Sequence, residues 1–289
     1  MSSLTHQSVL IRGDSGRDSG GESAGNSEAV SLAFHQQDGK PSDCLFQHGL
    51  GADYRQCLEV FPEPLSYGFA CVDCRGHGDS DFGDTTHLSL ATFANDLVQV
   101  IEQHMEPPIV LGGISMGAAL SLRIAATRPD LVRALILARP AWVLNCAPLN
   151  MQPNLLVGEL LTRHSAGKAR QTFCSMPTYA QLQRSAPDNL ASLLSFFDRP
   201  DANQFGHVLC AISNDGPGID ESLLHDWQTP TLVLATPDDL VHPVELADEL
   251  ADKLNAGPVV QLPAKHNNKA LYVQEFRQHL TDFLNTQTS

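Results

Sequence analysis

Ser115 stands between two glycines in Gly113-Ile114-Ser115-Met116-Gly117, the G-x-S-x-G spacing of a nucleophile elbow. Before it, Ile109-Val110-Leu111-Gly112 reads as a buried strand; after it, Ala118-Ala119-Leu120 opens a helix of small residues. A serine on a tight turn between strand and helix needs neighbours without bulky side chains. Its hydroxyl then points into open space above the sheet. The backbone N–H of Met116, in the first helical turn, is expected to face a developing oxyanion. A serine hydroxyl is a weak nucleophile until an imidazole takes its proton and a carboxylate orients that imidazole. The chemistry to look for is acyl transfer through a covalent acyl-serine.

The elements that must position these groups follow from the pattern around them. Cys44 to Gln47, Phe69 to Asp73, Val132 to Ala138, Pro230 to Ala235 and Val259 to Leu262 are short apolar runs that read as strands. Between them, apolar residues recur at helical spacing over Leu88 to Met105, Val244 to Leu254 and Lys269 to Leu284. This alternation predicts an α/β fold with a mainly parallel central sheet flanked by helices. From about Ala141 to Gln228 the rhythm breaks. Helical patterns over Asn154 to His164, Thr178 to Arg184, Asn189 to Phe197 and Gln204 to Ile212 are divided by prolines, with no convincing strand. The expected organisation is a flexible N-terminal tail over 1–27, with a possible short strand from Gln7 to Arg12. A core over 28–140 and 229–289 follows, with a helical lid insertion over 141–228.

Together these motifs make the chain resemble the α/β-hydrolase fold superfamily. The resemblance is to its lidded single-domain group of esterases, lactonases and proline-iminopeptidase-like enzymes. It rests on His48-Gly49-Leu50-Gly51, on Asp73-Cys74-Arg75-Gly76-His77-Gly78-Asp79-Ser80, on the Ser115 elbow, on Asp239 with Pro243, and on His266. The resemblance implies a triad in the order serine, acid, histidine. Asp239 takes the acid position after the strand Thr231 to Ala235, with Asp238 as its neighbour; Thr236 stands where the family has glycine. Of the histidines that follow, His242 is three residues from Asp239 at a helix start, and His279 falls inside the closing helix. His266 lies on the loop between the last strand and the last helix, so it is the expected base, preceded by Lys265 where the family usually has glycine. The second oxyanion donor is implied to be the N–H of Leu50, with His48 bracing the loop. Trp142 and Arg139, at the end of the strand before the insertion, are expected to line the substrate pocket.

Composition bounds the remaining possibilities. Thirty-three acidic residues against eighteen basic ones give a net charge of −15, which argues against nucleic acid or an anionic membrane surface as a partner. No apolar run is long enough to span a bilayer, and the N-terminus lacks the apolar core of a signal peptide, so a cytoplasmic location is expected. Seven cysteines without a framework pattern suit reduced thiols, and Cys71-Val72-Asp73-Cys74 ends a strand with no partner pair. The twelve histidines form no ligand motif, so no metal is expected, and no nucleotide or flavin motif suggests a cofactor. The leading reading is a serine hydrolase of an ester, thioester or lactone, acting on a neutral or moderately apolar small molecule. An acyltransferase or carbon–carbon-bond hydrolase with the same triad, or a ligand-binding receptor-like relative, stays open. Oligomeric state is not readable.

Overall fold

Short apolar runs with no polar face suit strands covered on both sides. The computed structural model, which describes residues 4–12, 29–62 and 67–287, aligns six strands in parallel. In chain order the strands are β1 (Leu4–Ile11), β2 (Val30–Gln37), β3 (Ser42–Gln47), β4 (Gly68–Val72), β5 (Ile109–Ile114), β6 (Val132–Ala138), β7 (Thr231–Ala235) and β8 (Val260–Gln261). They form one sheet in the order β1-β2-β4-β3-β5-β6-β7-β8, with β2 antiparallel to both of its neighbours.

Alternation along each strand assigns its side chains to two cores. In β5, Ile109 and Leu111 face one cluster while Val110 and Ile114 face the other; in β6, Leu135 and Leu137 oppose Ala134, Ile136 and Ala138. The first face is covered by α2 (Leu90–His104), α3 (Met116–Thr127) and α9 (Val244–Lys253). The second is covered by α1 (Tyr54–Val60) and α10 (Lys269–Thr286). Each leucine, isoleucine or phenylalanine fully buried there stabilises the fold by about 1.5–3 kcal/mol relative to exposure. Side-chain caps define where the covering helices start: Ser89 accepts from Thr92 N at 2.9 Å, and Asn268 accepts from Leu271 N at 3.0 Å.

Between β6 and β7 the chain folds into α4 (Gln152–Arg163), α5 (Ala166–Cys174), α6 (Pro177–Ser185), α7 (Pro187–Phe196) and α8 (Ala202–Ser213), with no strand. Proline opens α6 and α7, where its missing N–H costs nothing because the first turn has no intrahelical acceptor. No apolar periodicity had marked α5; only Ala169 and Phe173 of its nine residues are buried.

The N-terminal expectation needs correcting. The short strand expected over Gln7 to Arg12 is part of a longer one, Leu4–Ile11, so 4–11 is not a tail: it pairs with β2 along its whole length, from Leu4 opposite Gln37 to Ile11 opposite Val30. It is an edge strand with one covered face, so only Val9 and Ile11 are buried, and its polar composition hides it. The rest of the expected tail, 13–28, lies outside the described residues. Among the described residues no helix is long and apolar enough to cross a membrane.

Candidate active site

Ser115 follows β5 with φ 56° and ψ −109°, a backbone region that costs a residue with a β-carbon about 1–3 kcal/mol. Hydrogen bonds hold it there: its N–H donates to Ala138 O at 2.9 Å, and its carbonyl accepts from Ala119 N at 3.1 Å. The two glycines of the elbow are required by contact. A β-carbon on Gly113 would lie 2.7 Å from the Gln47 carbonyl oxygen, and one on Gly117 would approach that oxygen more closely still. Thus β3 and the first turn of α3 meet with no room between them. Ser115 occupies the N-cap position of α3 yet makes no side-chain capping bond. Its hydroxyl instead lies 2.7 Å from His242 Nε2.

His242 and Asp239 come from one short loop between β7 and α9. His242 Nδ1 lies 2.9 Å from both carboxylate oxygens of Asp239. With its hydrogen on Nδ1 facing that carboxylate, the ring leaves Nε2 free to accept from Ser115 Oγ–H. Asp239 Oδ1 also accepts from Asn189 Nδ2 at 2.8 Å and from His242 N at 3.0 Å. Oδ2 accepts from Arg139 Nε at 3.0 Å and Nη2 at 2.6 Å. Burial pushes the Asp239 carboxyl up, but the opposing charges of His242 and Arg139, with hydrogen bonds from His242 and Asn189, hold it well below the usual carboxylate range. Burial pushes the His242 imidazole down; Asp239 pulls it up, Arg139 opposes that, and the net shift is downward. The ring is therefore neutral at pH 7 and able to take a proton.

His266, the base expected from sequence, is not brought to Ser115. Its backbone N–H donates to Asp188 Oδ2 at 2.8 Å, and its Nδ1 lies 3.3 Å from the same oxygen. Asp188 sits in the first turn of α7 and holds the loop after β8 at the rim of the site. His242 stands where His266 was expected. The signal that could have found it is Pro243 directly behind it: a residue before proline is pushed out of helical backbone, so His242 stays on the loop between β7 and α9 that also holds Asp239. Asp238 is exposed with φ 57°, while Asp239 faces the histidine.

Of the two expected pocket residues, Trp142 is misplaced. It is 1% exposed and donates from Nε1 to Asp215 O at 2.9 Å, which ties the chain leaving β6 to the end of α8. Arg139 does border the cavity, but its guanidinium is engaged with Asp239.

The loop holding Leu50 is locked by two buried imidazoles. His48 Nε2 accepts from Cys74 N at 3.0 Å with Nδ1 toward Gly49 O at 2.9 Å; His77 Nε2 accepts from Gly51 N at 2.9 Å with Nδ1 toward Arg75 O at 2.9 Å. Burial pushes both rings down, so both are neutral braces. Gly51 has φ 81°, and a β-carbon there would collide with the ring of Phe196 from α7. Arg75 is tied to Asp96 by two bonds of 2.7 and 2.8 Å inside the core. Leu50 and Ser115 line a cavity of about 290 Å³, to which α4 and α7 contribute Asn154, Asn189, Ser192 and Leu193. Met116 opens α3, so its N–H is one of the four at a helix start without an intrahelical partner. Cys71 and Cys74 are buried, and burial pushes their thiols up.

The sequence profile of the alpha/beta hydrolase fold matches residues 45–269. The chain is 30% identical over 113 residues to the mitochondrial palmitoyl-protein thioesterase ABHD10 of Rattus norvegicus, which covers 38% of each chain. It is 26% identical over 185 residues to the sn-1-specific diacylglycerol lipase ABHD11 of Mus musculus, covering 62% of this chain and 56% of that one. The chain thus spans less than two thirds of the length of either relative. Among solved structures, a thermophilic esterase from Thermogutta terrifontis superposes with a TM-score of 0.72 at 20% identity, over 98% of this chain and 100% of that one.

Proposed function

Because the chain belongs to the α/β-hydrolase fold family, we propose that it is a serine hydrolase that cleaves an ester, thioester or lactone through an acyl-enzyme. The observation that carries this reading is the hydrogen-bonded series Asp239–His242–Ser115, closed at 2.9 and 2.7 Å. Ser115 Oγ attacks the acyl carbon as its proton passes to His242 Nε2. Asp239 holds the ring in the tautomer that can accept and balances the imidazolium that forms. The N–H groups of Met116 and Leu50 stabilise the oxyanion. His242 then returns the proton to the departing alcohol or thiol, and water repeats the sequence to release the acid.

The segment 141–228 acts as a lid in this reading, since α4 and α7 form one wall of the cavity. A cavity of about 290 Å³ suits a short, neutral or moderately apolar acyl group. The named activities of the relatives, on thioester and ester bonds, agree with the bond class.

The test is labelling by a fluorophosphonate. Ser115→Ala should lose the label and lose turnover by on the order of a thousandfold or more, with an unchanged fold. A panel of esters, thioesters and lactones of graded acyl length then identifies the bond and the length accepted. Full labelling of the Ser115→Ala protein would overturn the proposal.

A further inference from the structure

We propose that Arg139 is a positioning residue for this reaction: it fixes the Asp239 carboxylate against His242 and keeps the imidazole from holding a proton before substrate arrives. The inference rests on the serine-hydrolase reading above.

Asp239 and His242 are three residues apart on an irregular loop, a place where no helix or strand repeat sets their mutual orientation. The orientation comes from outside the loop. Arg139 Nε and Nη2 both reach Asp239 Oδ2, at 3.0 and 2.6 Å, from the end of β6. Asn189 of α7 holds the other oxygen and also accepts from Leu240 N, at 2.8 Å in each case. With two guanidinium bonds on Oδ2 and the Asn189 amide on Oδ1, the carboxylate is held at both oxygens, with its remaining lone pairs toward the ring.

The same guanidinium is a charge neighbour of the base. Arg139 Nη2 lies 3.3 Å from His242 Nδ1. That nitrogen carries the hydrogen directed at Asp239, so it cannot also accept from arginine. A protonated ring would therefore face a fixed cation at close range, which opposes protonation. The other groups facing this assembly are Tyr272 of α10, which contacts the guanidinium, and Asp188 and Lys265 across the cavity. Arg139 is placed at some cost. It has φ 47°, a left-handed backbone that a side chain disfavours, pinned by its N–H donating to Leu234 O at 2.7 Å. Its side chain remains 14% exposed, so a direct grip on an anionic substrate is the rival role, and the two roles predict different kinetics.

The experiment follows the rate of Ser115 labelling by a fluorophosphonate against pH and probe concentration, in the full chain and in Arg139→Met and Arg139→Lys. In Arg139→Met the maximal labelling rate should fall at least about tenfold, while the half-saturating probe concentration changes by less than about threefold. The midpoint of the acid limb should rise by about one pH unit, because the opposing cation is gone. Arg139→Lys should keep the midpoint near its original value, with an intermediate rate. If Arg139→Met does not fold, Arg139→Lys and Arg139→Gln carry the same comparison. An unmoved midpoint with a tenfold weaker probe affinity would assign Arg139 to substrate binding and overturn the inference. Wild-type labelling of Ser115→Ala would instead overturn the underlying function.

Discussion

The loop after β7 and the loop after β8 each hold a histidine beside an aspartate, and they differ in everything that matters for chemistry. His242 and Asp239 are buried, with side chains 9% and 5% exposed, and both carboxylate oxygens are occupied by donors from three elements. His266 and Asp188 are 25% and 32% exposed and touch through one oxygen. In water-accessible surroundings such a pair is worth about 0–1 kcal/mol and orients little. A carboxylate becomes a tool when the groups around it leave it one direction to face, and only the first pair meets that condition.

The largest contrast should appear on deleting each ring. His242→Ala is expected to lower turnover by about a thousandfold or more, because among the described residues His242 is the base within hydrogen-bond reach of Ser115 Oγ. His266→Ala under the same assay should stay within about threefold of the parent protein. The reverse ranking would restore His266 as the base.

Next in size is Asp239→Asn, which keeps the shape and reverses the hydrogen bond to Nδ1. The ring would then present the wrong tautomer to Ser115, with an expected loss of up to about ten-thousandfold from the analogous change in serine proteases. Asp188→Asn provides the control and should have little effect on turnover.

The pH dependence sharpens the comparison with a smaller effect. The proposed mechanism requires neutral His242, and burial with the Arg139 cation, against the pull of Asp239, lowers its pKa. As pH falls, kcat/KM should therefore hold until below about 6.5, the ordinary imidazole value, and then decline. The same midpoint in His266→Ala would agree with this assignment, whereas a midpoint that moved with His266 would contradict it.

The smallest effect is on stability. Asp188→Ala should change the unfolding free energy by less than about 1 kcal/mol, measured by denaturant titration, since the pair it breaks is half-solvated.

The frame of the site was legible because its signals are contiguous in the sequence. β5, the elbow and α3 are specified by an unbroken apolar run, a glycine pair and a run of small residues, and the structure returns them at the expected positions. The covering helices were legible from the helical spacing of their apolar residues. His242 was not, because residues three apart on a loop face each other only if something outside the loop turns them, and Arg139 and Asn189 lie 100 and 50 residues from Asp239 in sequence, where no local periodicity connects them. Trp142 was misread for a related reason: an aromatic at a strand end can face a pocket or the interior, and a single acceptor, Asp215 O, decides. The strand Leu4–Ile11 was legible only in part, over Gln7 to Arg12, because it has only one covered face.

Helix α7 has two attachments to the machinery. Through Asn189 it holds the loop of Asp239, and through Phe196 it rests on Gly51 beside Leu50. A swing of α7 away from the sheet would disconnect both in one movement. Were α7 to open in this way, access on that side and an oriented Asp239 would exclude each other, and the helix would serve as an interlock on the hydroxyl of Ser115.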